Sequence, residues 1–258
     1  MNTSFASSTP AAAAPATISV IVPTYREAAN IRRLVNAIAD VRNDHAMDLD
    51  LWLMDDQSRD DTRAEVEKLG SGWVHLVERT GPRGLSPAVL DGFSVSKGQR
   101  VVVMDADLSH PAATIPELLR ALDAGADFVF GSRYVKHGRT AEGWGFWRYL
   151  NSKCATLLAR PLARLSDPMS GFFAFDRSRL EAADTLNPVG YKIGLELLVK
   201  SRATRVVEVP IHFAKRTAGK SKLSFVQQLL YLEHLRRLYL FKLFGPRPGA
   251  ARKPASRR

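Results

Sequence analysis

The chain has one cysteine, Cys154, in 258 residues. No internal disulfide can form, a cysteine-built zinc site is excluded, and no cysteine-linked partner is expected; a reducing compartment is the simpler setting. No run of 18 or more uninterrupted apolar residues occurs, so no membrane-spanning helix is expected. The N-terminus lacks a basic segment followed by an apolar run, which argues against a signal peptide. Both common phosphate-binding loops are missing, since neither G-x-x-x-x-G-K-[ST] nor G-x-G-x-x-G is present. A phosphate bound here would have to be met by a metal ion and arginine. No internal repeat is visible.

Acid is scarce at one end only. Residues 1–199 carry 22 Lys/Arg against 24 Asp/Glu, a balance of −2, whereas residues 200–258 carry 15 against 2, a balance of +13. The net charge of +11 therefore resides in the C-terminal fifth. Such a block suits phosphate groups, an anionic membrane surface or nucleic acid. Residues 1–16, rich in Ser, Ala and Pro, read as a disordered leader.

Strand and helix patterns then alternate. Ile18–Val22, Leu51–Met54, Trp73–Val77, Val101–Met104 and Asp127–Phe130 read as strands, separated by helical spacings such as Ile31, Leu34, Val35 and Ile38. Asp60, Asp61 and Thr62 offer a helix cap, Ser86-Pro87 a cap and first turn, and Thr114 to Glu117 a capping box. This alternation predicts an α/β fold, doubly wound and mostly parallel. Later come a helix over 148–159, a strand over 171–175, a helix over 195–201, a strand over 205–209, a basic loop over 212–221 and a helical, Leu/Tyr/Phe-rich stretch over 223–244.

The stretch VVVMDADLSHP, Val101 to Pro111, carries the sharpest signal. A buried strand runs straight into Asp105 and Asp107, and two carboxylates there are costly unless something neutralises them. The carboxyl end of a strand is where open α/β sheets bind ligands. A divalent cation, Mg²⁺ or Mn²⁺, with a diphosphate beyond it meets the need. A second strand ends in Asp55-Asp56, whose carboxylates suit a base or ribose, and the two acidic ends are expected side by side. Together they outline a nucleotide-sugar site. A nucleic-acid module fits the basic tail but leaves both acidic clusters unexplained, so no nucleic acid is expected.

In order, ISVIVPTYREAANI, MDDQS, GLSPAV, VMDADLSHP, GSRYVKHG, WRYLNSK, SDPMSGFF, LNPVGYKIGLELL, VVEVPIHF and GKSKL resemble the dolichyl-phosphate mannosyltransferase-like branch of the family 2 glycosyltransferases over residues 17–235. The resemblance implies a GT-A fold (a Rossmann-like, mostly parallel sheet with flanking helices) over residues 17–222, then an amphipathic interfacial helix over 223–245 and a basic disordered tail over 246–258. It implies that Pro23, Tyr25, Glu27, Met54, Asp55, Asp56, Asp105, Ala106, Asp107, Arg216 and Lys222 bind the nucleotide sugar. Asp105 and Asp107 would hold the metal, and Arg133, Arg148 and Ser152 the acceptor phosphate; Asp107, Arg133, Arg148 and Ser152 form the catalytic set. Arg148 and Ser152, four residues apart, would share a helix face.

The implied reaction moves a hexose, mannose from GDP-mannose first, onto a polyprenyl phosphate with inversion at the anomeric carbon. The implied place is peripheral, on the cytoplasmic face of an anionic membrane surface. A glucosyl transfer from UDP-glucose and a non-catalytic membrane-associated scaffold are the alternatives. One departure from the family is Ser109, where Gln is usual.

Overall fold

The computed structural model describes residues 17–140, 146–187, 189–214 and 225–246. The leader and the basic tail lie outside these residues, as do Arg216 and Lys222.

Among the described residues seven strands form one sheet: β1 (Ile18–Thr24), β2 (Leu49–Asp55), β3 (Val74–Glu78), β4 (Arg100–Val103), β5 (Phe128–Ser132), β6 (Phe173–Asp176) and β7 (Val206–Pro210). Their spatial order is β3-β2-β1-β4-β6-β5-β7. All neighbours pair in parallel except β6, which runs antiparallel to both β4 and β5. The chain first winds from β1 out to β3, then returns to lay β4 on the other side of β1. That reversal makes the β1/β4 boundary the topological switch point, where a crevice opens beyond the carboxyl ends of the strands.

Side chains on a strand alternate between faces, and here both faces are apolar. On one, Val20, Val22, Leu51, Leu53, Val102 and Val129 meet α1 (Ala28–Asp44), α2 (Thr62–Leu69) and α4 (Ile115–Asp123). On the other, Ile21, Met54, Val101, Val103 and four phenylalanines, Phe128, Phe130, Phe173 and Phe175, lie among residues of α3 (Leu85–Val95), α7 (Ile193–Lys200) and α8 (Phe225–Phe244). Burial on both faces is what makes the strands near-continuous apolar runs. Gly194 lets α7 approach this aromatic layer, because a Cβ there would stand 2.8 Å from the Phe173 ring. Two helices complete the described elements, α5 (Phe146–Ala159) and α6 (Ser178–Ala182).

Several local readings shift. Ser86 does not cap α3: the helix starts two residues earlier than such a cap would set it, at Leu85 after Gly84 at φ 144°, and Ser86 is buried inside it. The Thr114 capping box does not form. Thr114 closes a short 3-10 turn, Ala112–Thr114, at φ −85° and ψ −12°, whereas a capping side chain needs an extended backbone. Before α2 the cap comes from Asp60, whose Oδ1 accepts the Thr62 N–H at 3.2 Å. The acidic ends of β2 and β4 are not side by side, because β1 lies between them. The C-terminal helix is docked as well as exposed: Tyr231, His234, Leu235 and Leu238 are buried, while Leu229, Leu232, Leu240, Leu243 and Phe244 face outward. Among the described residues no helix is long and apolar enough to cross a membrane.

The turn into β4 sets how far that strand reaches past β1. Gly98 donates to Ser19 Oγ at 2.9 Å, and a Cβ on Gly98 would stand 2.5 Å from the Ser19 backbone nitrogen. Backbone cannot yield as a flexible side chain can. Gly98→Ala should therefore cost about 1–3 kcal/mol, the range for an overpacked site, measured by urea titration. A cost under 0.5 kcal/mol would show that the turn is free to move.

Candidate functional site

Three adjacent strands, β2, β1 and β4, deliver their carboxyl ends to one crevice. Just past each strand a non-glycine residue takes a left-handed backbone: Gln57 (φ 61°) after β2, Arg26 (φ 59°) after β1 and Leu108 (φ 62°) after β4. Such conformations cost free energy and persist only where surrounding contacts enforce them. The contacts are present. Arg26 N donates to Ser58 Oγ at 2.7 Å, tying the β1 loop to the β2 loop, and Gln57 Nε2 donates to the Gly81 carbonyl at 3.0 Å.

The acid pair after β2 is divided between two tasks. Asp56 is occupied internally, with Oδ1 accepting from Arg79 and Oδ2 from the Gly84 N–H at 2.8 Å. The Arg79 side chain is 1% exposed and also binds Asp91 at 2.7 Å and the Pro82 carbonyl at 3.0 Å. Asp56 thus braces the 81–84 loop. Asp55 differs: Oδ2 accepts the Ser58 N–H at 2.9 Å, while Oδ1 is buried with no partner. Thr24 stands opposite Asp55 in the β1–β2 register, and its Oγ1 is also buried without a partner. Two orphaned polar atoms at the ends of paired strands are the kind of groups a ligand completes.

Of the other expected nucleotide contacts, Pro23 lies near the end of β1, and Tyr25 and Glu27 follow it. The Tyr25 ring lies under the Arg83 guanidinium, 4.2 Å from its centroid. The Tyr25 hydrogen bond is the main influence raising the pKa of Arg83, helped by Asp56 and Asp55. Glu27 binds Asn30 Nδ2 at 2.7 Å. Met54 and Ala106 are core residues, 0% and 3% exposed, so their side chains serve packing.

After β4 the two acids are presented differently. Asp107 is 5% exposed, and its Oδ1 accepts both the Ser109 N–H, at 3.0 Å, and the Ser109 hydroxyl. Ser109 is itself fully buried, so the residue that replaces the usual Gln orients Asp107. The Asp105 side chain is 29% exposed. Its N–H donates to His110 Nδ1 at 3.0 Å, which leaves the ring proton on Nε2. Burial is the largest influence on His110 and lowers its pKa, so the ring is neutral; it stacks on Phe172 at 5.2 Å. Gly171 faces Asp105, and even a Cβ would come only to 3.4 Å from Oδ1, so the loop leaves the carboxylate room. Among the described residues no group of three or more His, Cys, Asp or Glu gathers as a metal site. Two hard oxygen donors nonetheless suit Mg²⁺ or Mn²⁺, which complete their shells with phosphate and water.

Arg133 follows β5 and is held rigidly. Its Nε and Nη2 donate to the two oxygens of Asp167, each at 2.7 Å, and its backbone N–H adds a third bond at 3.1 Å. Asp167 is 0% exposed. Glu208 of β7 in turn accepts the N–H groups of Ser166 and Asp167 at 2.7 and 2.9 Å. Burial pulls the Arg133 pKa down, but the Asp167 bonds and charge outweigh it and the net shift is upward. Asp105 lies within electrostatic reach of Arg133, so the metal-type acids and the clamped arginine belong to one site. Arg148 and Ser152 fall on α5, one turn apart, but their side chains lie outside the described residues. Asp167, Arg83 and Lys192 were not singled out from sequence; Asp167 sits inside the quoted SDPMSGFF segment and Lys192 inside LNPVGYKIGLELL.

Acids and a clamped arginine gathered at the switch point of a doubly wound sheet mark an α/β enzyme that binds its ligand beyond the strand ends. Residues 19–182 match glycosyl transferase family 2, and the chain belongs to that family of glycosyltransferases. It is 42% identical to the dolichol-phosphate mannosyltransferase of Pyrococcus furiosus over 226 residues, 86% of this chain and 63% of that protein. It is 44% identical to the dolichol-phosphate mannosyltransferase of Saccharomyces cerevisiae, covering 88% of each chain. It is 37% identical to the polyprenol monophosphomannose synthase of Mycolicibacterium smegmatis, covering 80% of each. In fold it is similar to the glucosyl-3-phosphoglycerate synthase of Mycobacterium tuberculosis, solved with Mn²⁺, uridine diphosphate and phosphoglyceric acid. The TM-score is 0.66, over 91% of this chain and 81% of that one, at 21% identity.

Because Asp167 is the buried counter-ion of Arg133, its removal strands a cation. Asp167→Ala should cost about 3–5 kcal/mol, and the double variant Asp167→Leu/Arg133→Met should cost less than the single one. Denaturant titration of both reads this, and equal costs would mean that the pair is not a brace.

Proposed function

We propose that this glycosyltransferase moves mannose from GDP-mannose to a polyprenyl phosphate, with inversion at the anomeric carbon. The observation that carries the reading is the pairing of two sub-sites in one crevice: the partly exposed metal-type acid Asp105 and the rigidly clamped Arg133. The names of the relatives, all of them mannosyl transfers to polyprenyl-type phosphates, support the sugar and the acceptor; the guanosine donor rests on the sequence resemblance.

The acceptor's phosphate oxygen is already anionic at neutral pH, so the site needs no general base. It has to position that oxygen. Arg133, pre-oriented by Asp167, binds the phosphate through charge-assisted hydrogen bonds, with Arg148 and Ser152 on α5 completing its shell. The oxygen attacks the anomeric carbon; the new C–O bond forms as the bond to the diphosphate breaks, and GDP leaves. Asp105 and Asp107 would hold Mg²⁺ or Mn²⁺, which would neutralise charge on the diphosphate. The sequence resemblance assigns Arg216 and Lys222 to the same phosphates. Asp55 Oδ1 and Thr24 Oγ1 accept hydrogen bonds from the nucleoside, and Tyr25 with Arg83 borders it.

The lipid acceptor also accounts for the outer face of α8. Leu229, Leu232, Leu240 and Leu243 recur at near-helical spacing with Arg236 among them, beside exposed Leu157 and Leu158 on α5. This stripe seats the enzyme peripherally on an anionic membrane surface, on the cytoplasmic side, with the active site in the cytosol.

Radiolabelled GDP-mannose, a short polyprenyl phosphate and Mg²⁺ or Mn²⁺ should give label in an organic-extractable lipid, abolished by EDTA. UDP-glucose run alongside tests the donor; label from it alone would replace mannose with glucose. Asp107→Ala should lower kcat by at least about 10²-fold, the scale for losing transition-state charge stabilisation, and near-normal turnover would sink the metal assignment.

Membrane seating is tested separately by flotation with phosphatidylserine-containing vesicles. Truncating α8 would uncover Leu235 and Leu238, so point changes are cleaner. Leu232→Ser/Leu240→Ser/Leu243→Ser should abolish most flotation without changing the melting temperature, since each buried Leu is worth about 1.5–3 kcal/mol. Undiminished flotation would remove the stripe from the membrane contact.

A further inference from the structure

Lys192 is the residue that caps the N-terminal end of α7. Its Nζ donates to the Met169 carbonyl at 2.5 Å and lies 4.3 Å from the centre of the Tyr191 ring. Met169 belongs to the same short loop in which Asp167 clamps Arg133 and Gly171 faces Asp105. One loop therefore holds two charged groups, Arg133 and Lys192, and borders a third, Asp105.

The charges around this loop are unequally matched. Arg133 has Asp167 as its own counter-ion. Lys192 makes no ion pair among the described residues, and its one hydrogen bond uses one of three N–H donors. Burial and the nearby Arg133 push its ammonium down to about 7, while Asp167 and Asp105 pull the other way. A half-buried cation that among the described residues meets only a neutral carbonyl and an aromatic ring is a costly arrangement until an anion joins it. Two cations that repel each other across one space favour an anion between them.

Resting on the polyprenyl-phosphate reading above, we propose that Lys192 is a direct ligand of the acceptor phosphate, bridged to Arg133 by the phosphomonoester. Three considerations favour the acceptor over the donor. The donor diphosphate already has the Asp105/Asp107 metal site to neutralise it. The Lys192 anchor is two residues from the aspartate that aims Arg133. An ammonium also suits a phosphate oxygen as a compact point charge, complementing the planar fork of Arg133. With Lys192 in place, the acceptor's second negative charge is screened from the donor's phosphates, which otherwise repel the nucleophile from its in-line approach. No proton is transferred in this role.

The test separates charge from scaffolding. Lys192→Gln keeps a donor for the Met169 carbonyl and loses the charge; Lys192→Met loses both. Both variants should raise the KM for a short polyprenyl phosphate at least tenfold. KM for GDP-mannose should stay within about twofold, and kcat at saturating acceptor within about fivefold. Recovery of the wild-type acceptor KM by Lys192→Gln would reduce Lys192 to a brace for Met169. A rise in donor KM with an unchanged acceptor KM would move the residue to the donor side. Either result overturns the proposal.

A second measurement needs no variant. In the wild-type protein the same polyprenyl phosphate should slow acylation of Lys192, read by mass spectrometry, at least tenfold, while GDP-mannose alone leaves it unchanged. Protection by GDP-mannose alone, or by neither ligand, overturns the proposal. If wild-type enzyme transfers no sugar to any polyprenyl phosphate, it is the functional reading that fails, which the same assay shows before any variant is compared.

Discussion

Carboxylates at the ends of strands buried on both faces have lost much of their hydration, and the loops of this protein are built around that cost. Each acid is handled in its own way. Asp56 is given a buried arginine, Arg79, and a backbone N–H. Asp107 is given both hydrogen-bond donors of Ser109. Asp167, fully enclosed, is matched to Arg133. Asp55 is left with an unmatched oxygen, and Asp105 with partial exposure. Asp56 and Asp167, each matched to an arginine, fix geometry, whereas Asp55 and Asp105 are places where a ligand or cation changes the energy most, with Asp107 oriented beside them.

The same logic connects distant strands. Glu208 on β7 holds the loop that carries Asp167, Asp167 holds Arg133 beyond β5, and the same loop passes Asp105 beyond β4. The antiparallel strand β6 makes this possible. By running backwards between β4 and β5 it brings the 166–171 loop to the carboxyl ends of its neighbours, where a parallel strand would have delivered a helix-to-strand turn on the far side. One reversed strand thus brings Asp167 and the arginine it clamps to the same side of the sheet as Asp105.

Much of this was legible in the sequence. The parallel half of the sheet follows from apolar runs between helical spacings, and Asp105-Ala106-Asp107 after VVVM marks the crevice without any structure. What could not be read is long-range. The single Arg79 that neutralises Asp56 lies 23 residues away, and no local pattern links them. Asp167 and Arg133 are 34 residues apart. The order of strands was also hidden: β2 and β4 both end in acids, but only the sheet topology shows that β1 separates them. Capping failed at Ser86 and Thr114 because backbone angles set by neighbouring turns, at Gly84 and in the 3-10 segment, overrode a favourable side chain. Arg216 and Lys222 lie outside the described residues, so sequence remains the whole basis for them.

The C-terminal helix shows how the two ends of the reading join. Its inner face is fastened to α5: the Tyr231 hydroxyl donates to the Ala155 carbonyl at 2.8 Å, Tyr239 to Leu158 at 2.6 Å and the Lys242 ammonium to Pro161 at 2.6 Å. The last carbonyls of a helix have no partner within it, so Tyr239 satisfies one at the end of α5, while Lys242 binds a carbonyl two residues past that end, at Pro161. α5 is also the helix that carries Arg148 and Ser152. Under the proposed membrane seating, a surface that holds the outward leucines of α8 would, through these inward bonds, also set the height of α5, so that the acceptor phosphate and the lipid chain it carries would meet the protein at one depth.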